Sequence, residues 1–419
     1  MKRTLNVSST RVIIFSIIFV LALISLPFSN NIEAIYNSKA NASSIVMSTS
    51  EVINNSGLQV HFVDVGQGDC IMINLPDGKN MIIDSGDNNS TISSHMIDYA
   101  NEYIVTDNEV VDYLILTHAH SDHVGNMDDI LEEFQVNNIY RAPEFYQKNS
   151  TTNQNEITLD NEEANFASTS GVTLKEDYNI VNTNVMRDFL IDAYAEPNCN
   201  MFIFNDNDGN PMIMGSAEDK EYTFTFYTID ESEYYSPTNT NLKNPNNYSI
   251  LIVLEYDGLK FAFTGDGEQY IEQQLIDKYG DELPNVDFMQ MAHHGSKTAS
   301  SQDYVNILDP EYAFVSVAEE NTYGLPDEEP IIALNNIGVE GTCIFMTKDY
   351  GDIIIGMGYT SANSSDAIQN SNMAISISKG NNIVSIKWWE IAGGFVLLSA
   401  IFIFLTPSAQ MKVLKTNKK

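Results

Sequence analysis

The chain has 419 residues, 43% of them hydrophobic and 19% charged. That is enough for one large or two ordinary domains with a real core, and too apolar for a chain disordered throughout. Its 57 acidic residues against 21 basic ones leave a formal net charge of -36, which repels polyanions and disfavours non-specific nucleic-acid binding, since that binding rests on Lys and Arg displacing counterions. Three cysteines, Cys70, Cys199 and Cys343, are too few and too scattered for a disulfide framework.

The chain ends carry a membrane pattern. Residues 1–29 join Lys2, Arg3 and Arg11 to the charge-free run VIIFSIIFVLALISLPF, which predicts a signal peptide or an N-terminal membrane anchor. Residues 388–407, WWEIAGGFVLLSAIFIFLTP, predict a transmembrane helix with Trp388 and Trp389 at its interface, and Lys412, Lys415, Lys418 and Lys419 make 408–419 a basic cytoplasmic tail. Positive charge outside both apolar runs places the chain between them outside the cytoplasm, at the cell membrane. The Asn/Ser-rich stretches 30–57 and 359–387 read as linkers, leaving 58–358 as the structured unit.

That unit opens with β-type runs at LQVHFVDV, CIMINL and NMIIDS, the last two joined by the turn PDGK. A helical pattern (SSHMIDYANEYI), the strand DYLILT and a helix (NMDDILEEF) follow. Residues 143–220 are polar and weakly patterned and read as a divergent insertion. Strands resume at YTFTFYTI, SILIVLEY and LKFAFTG, then come a helix (EQYIEQQLIDKYG), the strands VDFMQM and YAFVSV, and a terminal hairpin of TCIFMT with DIIIGM. Two groups of strands, each followed by helices, predict an α/β unit of two packed sheets covered by helices.

Chemistry concentrates where strands end. THAHSDHVG places His118, His120, Asp122 and His123 directly after DYLILT, using three of the chain's seven histidines. Imidazole and carboxylate suit zinc, manganese or iron, and strand ends are where α/β folds bind ligands. His118 and His120, two apart, project alike on an extended strand end, as two ligands of one ion must; Asp122 and His123 fit a second ion. Asp266 in FTGDGE and the pair His293/His294 in MAHHGS follow two further strands. His61, within a strand, and His95, on an amphipathic helix, read as structural.

DVGQGD, IIDSGD, THAHSDHVG, FTGDGE and MAHHGS, in this order and spacing, resemble the metallo-β-lactamase superfamily, and within it the hydrolase domain of ComEC-type competence proteins and its stand-alone relatives. The resemblance implies a four-layer αββα fold and two divalent metal ions, zinc before manganese or iron. His118 and His120 would hold the first ion and Asp122, His123 and one histidine of the 293/294 pair, His294 in preference, the second, with Asp266 bridging. His293 would lie near the reacting group, Asp122 or Asp266 would hold the attacking water, and Asp84 would orient the metal-binding loop. Asp64 and Asp69 of DVGQGD are expected to satisfy loop amides or to back the ligands, and Ser296 and Lys297 to contact phosphate.

Two departures stand out. No histidine lies between 124 and 292, so the first metal lacks a ligand that many relatives have, with Asn247 as the candidate substitute; and NTYGLP carries Leu325 where relatives often have histidine. The implied activity is hydrolysis of a phosphoester or phosphodiester by metal-activated water. ComEC resemblance suggests a DNA strand as substrate, whereas the chain's acidity favours a small or surface-polymer phosphoester. The alternative is a catalytically weak surface module that keeps the fold and binds a metal or a partner.

Overall fold

The computed structural model describes residues 48–105, 109–142, 146–148, 178–180, 184–204, 210–230, 233, 239–358 and 373–377. The terminal apolar segments and the basic tail lie outside them. Among the described residues no helix is long and apolar enough to cross a membrane.

In chain order the strands are β1 (Leu58–Phe62), β2 (Ile71–Asn74), β3 (Asn80–Ile83), β4 (Val110–Val111), β5 (Tyr113–Leu116), β6 (Gln135–Val136), β7 (Asn138–Arg141), β8 (Tyr146–Lys148), β9 (Tyr178–Ile180) and β10 (Asn200–Ile203). There follow β11 (Pro211–Ala217), β12 (Lys220–Tyr227), β13 (Leu251–Tyr256), β14 (Leu259–Phe263), β15 (Phe288–Gln290), β16 (Tyr312–Val315), β17 (Ile344–Met346), β18 (Ile353–Met357) and β19 (Met373–Ile377). One sheet has the order β10-β7-β5-β3-β2-β1-β18-β19 and the other β11-β12-β13-β14-β15-β16-β17.

Alternation within the first sheet explains why its strands are apolar on both sides. Leu58, Val60 and Phe62 of β1, Ile71 and Ile73 of β2 and Ile115 of β5 enter the core between the sheets. Met72, Ile82, Leu114 and Leu116 point the other way, onto the helices Ser90–Tyr103, Met127–Glu133 and Asn184–Ala195. Helices Gln269–Tyr279, Gln302–Leu308 and Glu328–Asn336 bury Leu275, Val305 and Leu334 on the second sheet. Phe62 of one sheet stacks on Phe314 of the other at 5.3 Å and meets Phe261 at 5.8 Å. The layers run helix, sheet, sheet, helix.

Three places differ from the sequence reading. TCIFMT and DIIIGM do not form a hairpin: β17 pairs parallel with β16 in the second sheet, and β18 pairs antiparallel with β1 in the first. The helical turn Thr347–Tyr350 and Gly351 at φ 67 redirect the chain between them. The stretches read as linkers contain structure, since β19 pairs with β18 and the helix Thr49–Asn55 sets Val52 against Ile354 and Ala374. Each is a single short apolar run, too brief to show a period. Finally, 143–220 supplies β10, which pairs parallel with β7, and β11, which pairs with β12, as edge strands of both sheets.

His61 and His95 sit as expected of structural residues. His61 is fully buried, with Nδ1 2.9 Å from the Tyr99 hydroxyl, and burial brings its imidazole down to about 3, so it is neutral. His95 lies 3.3 Å from Asp352, a contact that raises its pKa.

A buried carboxylate holds the second sheet's helix layer. Glu272, 2% exposed, accepts the backbone N–H groups of Ser300 and Ser301, and burial pushes its pKa up to about 7 despite those bonds. The folded state therefore keeps a proton between pH 4.5 and 7 that the unfolded chain releases, and stability from this group falls as pH rises through that window. Glu272→Gln should flatten the fall, which for the wild type is on the order of 3 kcal/mol; urea unfolding of both proteins at pH 5 and pH 8 measures the difference.

Candidate metal centre

The candidate ligands gather at one end of the two sheets. β3, β5, β14 and β15 deliver Asp84, His118–His123, Asp266 and His293/His294 from their C-terminal ends. Strands β3 and β5 run parallel, as do β14, β15 and β16, so these ends coincide.

Asp84 anchors the first-sheet part. It adopts φ 58, a left-handed conformation that a non-glycine residue holds only when its surroundings compensate. Thr117 N–H donates to its Oδ1 at 2.8 Å, and Thr117 Oγ1 and His123 Nδ1 donate to its Oδ2 at 2.6 and 2.7 Å. His118 Nδ1 lies 3.2 Å from that same Thr117 hydroxyl. On the second sheet, His294 Nδ1 donates to the Ser316 carbonyl at 2.9 Å. In all three imidazoles Nδ1 is engaged, which leaves Nε2 to face the centre, the arrangement in which a neighbouring acceptor fixes the tautomer of a metal-binding histidine.

The facing atoms form two groups that share Asp266. Asp122, His123, Asp266 and His294 make one; His118, His120 and Asp266 make the other. Asp266 Oδ1 is 3.2 Å from His123 Nε2 and 3.7 Å from His294 Nε2, while its Oδ2 is 3.8 Å from both His118 Nε2 and His293 Nε2. His294 Nε2 lies 3.4 Å from Asp122 Oδ2, and His118 Nε2 lies 3.1 Å from His120 Nδ1. Ligands at ~2.1 Å around a tetrahedral ion are about 3.4 Å apart, so these separations suit metal ligands. His123 Nε2, His294 Nε2 and Asp266 Oδ1 are buried without hydrogen-bond partners; something cationic fits among them.

Electrostatics agrees. Burial pushes His118 well below the ordinary histidine range and lowers His120. For His123 burial opposes protonation, but Asp266 and Asp84 outweigh it and hold the imidazole well above that range; Asp266 and Asp122 likewise lift His294 to about 9. Burial raises Asp69 to about 6. Among the described residues the ion-pair contacts of Asp69, Asp84, Asp122 and Asp266 are all to histidines. A divalent ion would replace the protons that otherwise balance these carboxylates.

The remaining sequence candidates divide. Asp69 backs the centre, with its oxygens 3.8 Å from His294 Nδ1 and 3.9 Å from His123 Nδ1. Asp64 serves loop amides: its Oδ1 accepts Gly66 N–H at 3.3 Å. His293, at φ 53, is a quarter exposed beside the first group, with Nδ1 2.9 Å from Thr298 Oγ1. Ser296 Oγ pairs with Thr298 Oγ1 at 3.1 Å, and the exposed Lys297 ammonium lies 3.9 Å from Asp327. Asn247 is not the asparagine at the first group. Its Nδ2 donates to the Asn241 carbonyl at 3.0 Å, whereas the Nδ2 of Asn246 lies 3.4 Å from His293 Nε2; the Oδ1 of each is buried without a hydrogen-bond partner. The 3-10 turn Pro245–Tyr248 rotates successive side chains apart, which residue type alone does not reveal. Gln290 was not singled out by its sequence context, although it bonds to both loops of the centre.

Residues 63–156 match the model of the metallo-beta-lactamase superfamily. That stretch of the chain, which holds THAHSDHVG, resembles the superfamily. The chain is 22% identical over 285 residues to ComE operon protein 3 of Bacillus subtilis, covering 65% of the present chain and 30% of the relative. It is 29% identical over 126 residues to competence protein ComA of Neisseria gonorrhoeae, covering 30% and 18% respectively. It thus spans less than a third of the length of these relatives. Among solved structures it is similar to the metallo-beta-lactamase fold protein YhfI from Bacillus subtilis, at TM-score 0.35 and 13% identity over 69% of this chain and 96% of that one. Zn(2+)-bound PqqB from Methylobacterium extorquens has TM-score 0.36 and 9% identity over 68% and 97%.

DVGQGD lies directly against the turn that carries Asp122. Gly68, at φ 138, lies so close beneath the ligand turn that a Cβ would fall 2.4 Å from the Asp122 carbonyl oxygen. Gly68→Ala should displace Asp122 and destabilise the fold by about 1–3 kcal/mol. Denaturant unfolding measures the loss of stability, and bound-metal content before and after dialysis measures the displacement of Asp122.

Proposed function

We propose that this chain is a membrane-anchored metallohydrolase, its domain outside the cytoplasm, that cleaves phosphoester or phosphodiester bonds. The observation that carries the reading is the Asp266 carboxylate with one oxygen toward each ligand group, among buried imidazole nitrogens that lack partners. When bound, two divalent ions, zinc before manganese or iron, would supply Lewis-acid activation of water and neutralise charge developing at phosphorus. Asp122, His123, His294 and Asp266 Oδ1 would hold one of them. His118, His120 and Asp266 Oδ2 would hold the other, with the Asn246 amide beside them in place of a third histidine.

The chain's own groups then divide the work. Asp122, the partly exposed carboxylate, accepts a proton from an attacking water on the open side of the centre. His293, held by Thr298 and a quarter exposed, offers Nε2 as a proton donor toward the leaving group. Lys297, at the rim, supplies a cation to a phosphate oxygen. The net charge of -36 favours a small or surface-polymer phosphoester over a long polyanion. The terminal apolar runs and their basic flanks support anchoring.

The full-length protein, purified in detergent, is assayed for metal content and for turnover of bis-p-nitrophenyl phosphate, with single-stranded DNA as a competing substrate. We expect bound metal and turnover in the wild type, and turnover at least about 10- to 100-fold lower in Asp122→Ala and His294→Ala. A wild type with neither metal nor turnover overturns the enzyme reading. Metal without turnover of either substrate supports the surface-module reading, which is favoured by a first group of only three acidic or histidine ligands.

A further inference from the structure

Gln290 ends β15 and is 2% exposed. Its Oε1 accepts the N–H groups of Thr264 at 3.0 Å and Gly265 at 3.3 Å, the two residues before Asp266. Its carbonyl accepts the Thr264 hydroxyl at 2.9 Å, and its Nε2 donates to Asp69 Oδ2. Two backbone donors claim the oxygen end of the amide, so the nitrogen end must face the carboxylate.

Asp69 belongs to the other sheet's loops. Its N–H donates to the Asp122 carbonyl at 3.1 Å, its carbonyl accepts Gly86 N–H at 2.8 Å, and its oxygens back His123 and His294. One neutral side chain therefore joins the loop that carries Asp266 to the loop that supports Asp122 and His123.

We infer that Gln290 is a positioning residue, a crossbar that sets Asp266 against the Asp122–His123 turn so that ligands from two sheets meet at one centre. The inference rests on the metal-centre reading above. Glutamine alone satisfies both ends: leucine would fill the space but leave two N–H groups and a buried carboxylate unpaired, and glutamate would accept the two N–H groups but set one carboxylate against another. Reversing the pair, Gln290→Glu with Asp69→Asn, restores a donor and an acceptor in opposite order.

The test is zinc titration calorimetry of full-length protein stripped of metal by a chelator, with circular dichroism to confirm folding. Gln290→Leu and Gln290→Glu should bind zinc about 10- to 100-fold more weakly than wild type, and adding Asp69→Asn to Gln290→Glu should recover most of that loss. A folded Gln290→Leu protein with wild-type affinity overturns the inference. So does a double variant as weak as Gln290→Glu alone, which decides the matter if the leucine variant does not fold. A wild type that takes up no zinc overturns the metal-centre reading and this inference with it, whereas unchanged variants beside a tightly binding wild type overturn this inference only.

Discussion

Three carboxylates, Asp69, Asp84 and Asp266, are 1–2% exposed at one end of the two sheets, and Asp122 joins them from the rim. Carboxylates brought this close repel one another, and leaving even one charge uncompensated in a protein interior costs several kcal/mol. Their ion-pair contacts among the described residues are to imidazoles, whose own charge depends on those same carboxylates. The rest of the local structure meets that constraint. Asp84, His293 and His294 hold left-handed backbone conformations, and a backbone carbonyl, a carboxylate and a hydroxyl accept from the rings of His294, His123 and His118 to fix their orientation from outside.

The centre belongs to neither sheet alone. Loops of the first provide the contiguous ligands, and loops of the second provide Asp266 and the histidine pair. Their separation depends on how the sheets pack, through contacts such as Phe62 on Phe314, and on the amide of Gln290 between the two sets of loops. A substitution in the aromatic core can therefore disturb the ligand geometry without touching a ligand.

The candidate ligands are legible in the sequence because each lies within a few residues of a strand end that apolar runs make visible. THAHSDHVG carries four of them in six positions, and Asp266 and His294 follow strands just as plain. What escaped depends on distant partners. Gln290 reads as one more polar residue in VDFMQM until Thr264 and Asp69 are beside it, and choosing Asn246 over Asn247 needs the phase of a 3-10 turn. Strand pairing was misjudged where adjacent runs suggested a hairpin: nothing local to TCIFMT and DIIIGM says that one joins β16 and the other β1. The edge strands β10 and β11 escaped because a strand with one neighbour needs less apolar patterning to be stable.

The helix Thr49–Asn55 and β19 stand at the two limits of the described core, and they touch. Thr49 Oγ1 is 2.9 Å from Ser376 Oγ, and Val52 packs with Ala374. The polypeptide thus enters and leaves the domain at one corner, beside β18 and far along the sheet from β5 and its histidines. A pull applied at Thr49 and at β19 would load this corner, with its short helix and edge strand, before the loops that follow β5. The two limits of the described core and the candidate ligands thus occupy separate regions of one sheet, so a pull at those limits would reach the ligand loops last.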